Sequence, residues 1–194
     1  MGRQAFLFEP VMRCALVLVA ACATAKPAPA TSWPVPAGWK HEVIPFPLEF
    51  APGLPHRGLE ELRFPPGFLK AGAPNHWAYA FAWRLDDAAA LEPTALASEL
   101  AVYFRGLLAA VDGDKHRLDP AQITVTATPE LALHAHLIDT FGDAAPVDLV
   151  GSAHRTRCGA WALWTFVLAP VDSPIRAELT ALAAQAACGQ TPVR

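Results

Sequence analysis

The chain has 194 residues, of which 53% are hydrophobic and 17% charged, with a formal net charge of −3. That balance excludes collagen-like, intrinsically disordered and disulfide-dense classes, because enough apolar side chains are present to bury a core and too few charges to keep the chain unfolded. With 15 Lys and Arg against 18 Asp and Glu and no basic block, the chain has no electrostatic footprint for nucleic acid. Its length predicts one domain with a short tail.

From Met12 the sequence places one cation, Arg13, before an apolar run from Cys14 to Ala23, with small residues after it. This is the layout of a secretory signal peptide, predicted over residues 1–25, and the run is short of the ~20 residues a membrane-spanning helix needs. Two processing chemistries fit. Ala23-Thr24-Ala25 is an A-x-A cleavage site. Alternatively, Val19-Ala20-Ala21-Cys22 resembles the lipobox of bacterial lipoproteins. That resemblance implies acylation of the Cys22 thiol and a lipid anchor as the only membrane contact.

Residues 26–40 hold Pro27, Pro29, Pro34 and Pro36 among alanines, a composition that disfavours helix and sheet and predicts an extended spacer. The expected address is therefore the periplasm or outer envelope of a bacterium. Removing residues 1–25 leaves 13 basic against 17 acidic side chains, so the exclusion of nucleic acid stands. Of four cysteines, only Cys158 and Cys188 lie in the folded part, and in an oxidising compartment two cysteines predict one disulfide.

The remainder, 41–190, reads as one α+β domain: an antiparallel sheet of about five to six strands with two helices packed on one face. Residues 41–75 are proline-dense, with edge-strand candidates at His41–Ile44 and Leu59–Phe64 and a turn at Phe64–Phe68. Residues 76–85 alternate with period two. Trp77, Tyr79, Phe81 and Trp83 share one face, and Ala78, Ala80 and Ala82 share the other. The aromatic face predicts core packing, with a sugar-stacking platform as the alternative, and the alanine face lets a second layer approach closely.

A helix is predicted over residues 93–111, opened by Pro93, striped by Leu96, Leu100, Phe104 and Leu108, and stopped by Asp112-Gly113. The aspartates of the following loop, 112–119, resemble a calcium loop only in spacing. Lys115, His116 and Arg117 would repel a cation, so a solvated loop is expected. Four strands follow, over 122–128, 131–139, 147–156 and 160–168, joined by connections too short for parallel returns, hence a meander. A last helix is predicted over 173–187, capped by Asp172 or Ser173 with Pro174 at its first position. If it folds back across the preceding strand, Cys188 arrives beside Cys158.

The meander's alternation puts Ile123, Val125, Leu133, Leu137 and Leu149 on an apolar face. Thr124, Thr126, His134, His136, Asp148, Ser152 and His154 then fall on a polar one. His134 is expected opposite Ser152 or His154. The candidate ligand-binding residues are therefore His134, His136, Asp148, Ser152 and His154, and the candidate metal ligands are His134, His136 and His154, through neutral imidazole nitrogens. No G-x-S-x-G, H-E-x-x-H, G-x-x-x-x-G-K or paired C-x-x-C is present, so no catalytic residue is assigned and no cofactor is expected. Two functions follow as expectations: a non-catalytic envelope protein binding a ligand or partner on the open sheet face, or a hydrolase or metal-binding protein using the histidine cluster.

Overall fold

A computed structural model describes residues 33–87, 90–113 and 118–189. The signal segment, Cys22 and the cationic part of the predicted solvated loop lie outside the described residues. Seven strands form one antiparallel sheet: β1 (Lys40–Phe46), β2 (Gly58–Phe64), β3 (Tyr79–Leu85), β4 (Thr124–Ala127), β5 (Ala132–Ile138), β6 (Pro146–Cys158) and β7 (Trp161–Pro170). Their order across the sheet is β1-β2-β3-β7-β6-β5-β4. Two meanders therefore join at the β3–β7 pair, where Phe81 faces Phe166 and Trp83 faces Trp164.

Helix α1 (Pro93–Asp112) carries the chain from β3 to the far edge at β4, and α2 (Arg176–Ala183) follows β7. The α+β class and antiparallel meander are as the sequence predicts, with a strand count slightly above the expected five to six.

The two helices do not share a face. α1 packs on the aromatic side of β3. There Leu96, Leu100, Tyr103, Phe104 and Leu108 join Tyr79, Phe81, Trp83, Trp164, Phe166 and the apolar side of the second meander in the main core. α2 packs on the alanine side, where Leu179, Leu182 and Ala183 close on Ala78, Ala80, Ala82, Leu163 and Val167. The physical reason lies in β3. Both of its faces are apolar, one bulky and one small, so a single helical layer leaves one of them wet. The methyl side admits a short helix at close range.

α1 begins with Pro93 at its first turn, as expected. Gly106 lies where a Cβ would strike the backbone at Phe50, so the 47–57 loop crosses the helix in direct contact. α2 is shorter than predicted. Its N-cap is Ile175, not Asp172 or Ser173. The Arg176 guanidinium instead gathers the carbonyls of Val150, Pro170 and Val171, which holds the entry as a turn. Beyond Ala183, the carbonyl of Ala187 accepts from Arg84, and Cys188 is bonded to Cys158, which draws the last described residues off the helical path.

On the α2 side lies a buried charge cluster. Glu61 pairs with both Arg63 and Arg84, at 3.1 and 2.5 Å. Arg63 also donates to the carbonyls of Trp33 and Pro34 and stacks on the Trp33 ring at 4.4 Å. The residues after the spacer are thereby fastened to the alanine face.

The Cys158–Cys188 bond ties the tight turn at Gly159 (φ 71°) to the end of the α2 segment, with Cα atoms 5.4 Å apart and the cysteines 30 residues apart in sequence. Replacing both cysteines by serine should lower the unfolding free energy by about 3 kcal/mol in the chain-entropy picture. Non-reducing peptide mapping should find both residues in one linked fragment. Two separately alkylated cysteines in exported protein would refute the bond.

Candidate functional site

The predicted polar face exists. His134, His136, Asp148, Ser152 and His154 all fall on the α2 side of the sheet, where α2 packs mainly on β3 and β7. The register differs from expectation by two residues: His134 faces Val150, His136 faces Asp148, and Ser152 faces Ala132. Asp148 Oδ1 consequently lies 2.9 Å from His136 Nδ1 and 3.3 Å from His134 Nε2. The His136 hydrogen bond, opposed by slight burial and helped by both imidazoles, holds the Asp148 carboxyl below its ordinary range. His154 pairs with Thr165 further along β6, so the third imidazole stands apart from the other two. Among the described residues, no group of three His, Cys, Asp or Glu side chains is arranged to hold a metal ion.

The other face carries the cavity. A pocket of about 670 Å³ opens between the β1–β2 wing and α1. Ile44, Leu62, Phe64 and Tyr79 from the sheet line it, with Tyr103 and Leu107 from α1 and Phe50, Phe68, Trp77 and Phe141 from three loops. Its size falls in the range of about 300–1,000 Å³ usual for small-molecule sites. The cavity exists because α1 packs toward β4 and β5 and leaves the β1–β2 wing to be roofed by loops.

Asp139 builds one wall. Its Oδ1 accepts from the Trp77 indole at 2.9 Å and from the Phe141 amide at 3.1 Å, and its Oδ2 meets His76 Nε2 at 2.9 Å. The other His76 ring nitrogen donates to the Phe68 carbonyl at 2.9 Å. One buried carboxylate thus orients three of the pocket's aromatic residues. Trp77 holds φ 58°, a left-handed conformation rare for a large side chain, and the Asp139 bond offsets that strain. Burial raises the Asp139 pKa, but the indole and imidazole bonds outweigh it and the net shift is downward.

On the same sheet face as the lining, two residues before Leu62, lies Glu60, wholly buried, opposite Ile44 on β1 and Trp83 on β3. Its Oε1 accepts from the Trp83 indole at 3.0 Å, while Oε2 has no hydrogen-bond partner. Burial pushes its pKa up to about 8, against the lowering effect of Trp83 and the Tyr103 hydroxyl, so the carboxyl is protonated at neutral pH. His56, also buried, reaches Glu99 of α1 at 2.7 Å with Asp87 3.7 Å away. Burial lowers its pKa, yet the two carboxylates win and raise it. It pins the 47–57 loop to the helix beside Phe46 and Trp83.

Of the five candidate residues read from sequence, the structure brings together His134, His136 and Asp148, and none of the five borders this pocket. The sequence reading placed the pocket residues in edge strands, core or loops, with a sugar-stacking platform as the alternative only for the face that carries Trp77 and Tyr79. Their one distinguishing signal was the density of aromatic residues around the Phe64–Phe68 turn and Trp77–Trp83. No family model, curated protein or solved structure matches the chain.

Two pH dependences follow. Glu60 has a folded-state pKa above the ordinary glutamate value of 4.5, so its contribution favours folding below that value and is lost as pH rises toward 8. Wild-type protein should lose on the order of 4 kcal/mol between pH 4.5 and 8 from this group, and Glu60→Gln should remove that slope in denaturant titrations at pH 5 and 8. Equal slopes in both proteins would disprove a protonated Glu60.

Asp139 behaves oppositely. Its stabilisation is present above pH 3.8 and is lost as pH falls through the lowered folded-state value. Asp139→Asn should cost about 1–3 kcal/mol at pH 7, with the gap to wild type closing in acid. Trp77 emission should also move toward that of an exposed indole.

Proposed function

We propose that this chain is an exported binding domain of a bacterial cell envelope, without catalytic activity of its own, that takes an apolar small molecule in the pocket beside α1. The observation that carries this reading is the cavity itself: an aromatic-lined space of about 670 Å³ whose wall is organised by a buried carboxylate. Folding leaves this space open although the surrounding core is fully buried. Such a space costs dispersion contacts unless something occupies it.

Export is supported by the signal-like residues 1–25 and by the pairing of Cys158 with Cys188, which suits an oxidising compartment. Maturation proceeds either after Ala25 or by acylation of Cys22, and the mass of the mature N-terminus distinguishes the two. In this reading the ligand lies on the aromatic side of the sheet, opposite the polar face that the sequence nominated. The hydrolase or metal reading would rest on His134, His136 and Asp148. They form an exposed trio in which two imidazoles share one carboxylate oxygen.

The test is direct. An environment-sensitive apolar fluorophore should bind wild-type protein saturably with one site. Ile44→Trp and Leu107→Trp place bulk at two half-buried lining positions from opposite walls. Each should weaken binding at least about tenfold while leaving the denaturation midpoint within ~1 kcal/mol of wild type. Saturable binding that both variants retain would place the ligand elsewhere, and no binding at all would defeat the proposal.

A further inference from the structure

The pocket's rim has a charge pattern unlike that of the protein around it. The chain is net acidic, and among the described residues it contains only two lysines, Lys40 and Lys70. Both line this one pocket. Lys40 opens β1, and Lys70 follows the Phe64–Phe68 turn, so two separate segments bring them to the same mouth. Both are exposed, and neither makes an ion pair among the described residues. Glu42 is the single acidic residue of the lining, which leaves the rim one positive charge in excess. Directly inside the cations the lining turns apolar. Beside Lys70, Leu69 stands 53% exposed, and Phe141 is 36% exposed.

Cations at a mouth, exposed apolar side chains at the lip and an aromatic interior form a gradient that matches one kind of molecule. Resting on the pocket reading above, we infer that the ligand is a soluble anionic amphiphile, a single apolar body ending in one carboxylate, sulfate or phosphate. Its body lies among Phe64, Phe68, Trp77 and Tyr79, and its head sits at the rim between Lys40 and Lys70. The lysine ammonium groups remain hydrated and act as point charges, so they select the sign of the head more than its shape. Trp33, the first described residue, packs on the opposite face of the sheet, where Arg63 holds its carbonyl and that of Pro34.

Displacement of the bound fluorophore by three C12 compounds of one chain length tests this: laurate, dodecanol and dodecyltrimethylammonium, each below its aggregation limit. Laurate should bind about 3- to 10-fold more tightly than dodecanol, as two solvent-facing ion pairs allow. That preference should shrink as salt is raised. In Lys40→Gln/Lys70→Gln protein, laurate affinity should fall to that of dodecanol, while dodecanol affinity stays unchanged. Equal wild-type affinity for laurate and dodecanol, both lost in Leu107→Trp, would overturn the anionic head yet leave the pocket reading intact. A preference for the cationic compound would overturn it in favour of Glu42. Failure of all three to displace the fluorophore would overturn both readings. Binding to phosphatidylglycerol vesicles without binding of laurate would replace the soluble amphiphile by a membrane surface.

Discussion

Strand β3 has bulk on one side and methyl groups on the other, and the layout of the molecule follows from that asymmetry. Tyr79, Phe81 and Trp83 build a thick aromatic layer with Phe166 and Trp164 of β7, stacked at centroid distances such as 4.4 Å for Phe81–Phe166. A helix resting on that layer stands off from the sheet, and α1 does so while shifting toward β4 and β5. Ala78, Ala80 and Ala82 make the reverse surface nearly flat, which lets the short α2 settle close to the backbone. Helices on opposite faces, one of 20 residues and one of eight, bury both sides of the central strands.

The pocket is a consequence of the same offset. With α1 drawn toward the second meander, the β1–β2 wing has no helix above it, and its apolar side chains must be roofed by loops. Loops rich in proline roof with irregular backbone, and irregular backbone rarely fills space completely. Polar side chains then set the shape of what remains. Asp139 anchors Trp77, Phe141 and, through His76, Phe68, while His56 fastens the 47–57 loop to α1 through Glu99. Glu60, beside Leu62 on the same face, is the further buried carboxyl next to these residues.

The other face uses polar groups differently. Glu61, Arg63 and Arg84 form a buried cluster that fastens Trp33 at one end and Ala187 at the other, and the disulfide closes the same region. The first and last described segments are thus anchored on the α2 side, and the cavity lies on the other face of the sheet.

Strands, helices and the alternation within them were legible in the sequence, because period-two and period-3.6 patterns report burial wherever an element has one wet face. The antiparallel meander followed from connection length, and the proximity of Cys158 and Cys188 from the rise per residue of a strand and a helix. What depended on pairing was not legible. A two-residue slip of register moved Asp148 opposite His136 and left His154 apart, since parity is preserved by such a slip while neighbours change. The faces taken by α1 and α2 were likewise decided only in three dimensions, because a strand apolar on both sides gives no local preference for either helix. The cavity had little local signature beyond the density of aromatic residues: Ile44 and Leu62 fell in edge-strand candidates, Phe64 at a turn, and Trp77 on a face expected to be core, with sugar stacking as the alternative. Only their convergence from five segments turns ordinary hydrophobic residues into a binding space.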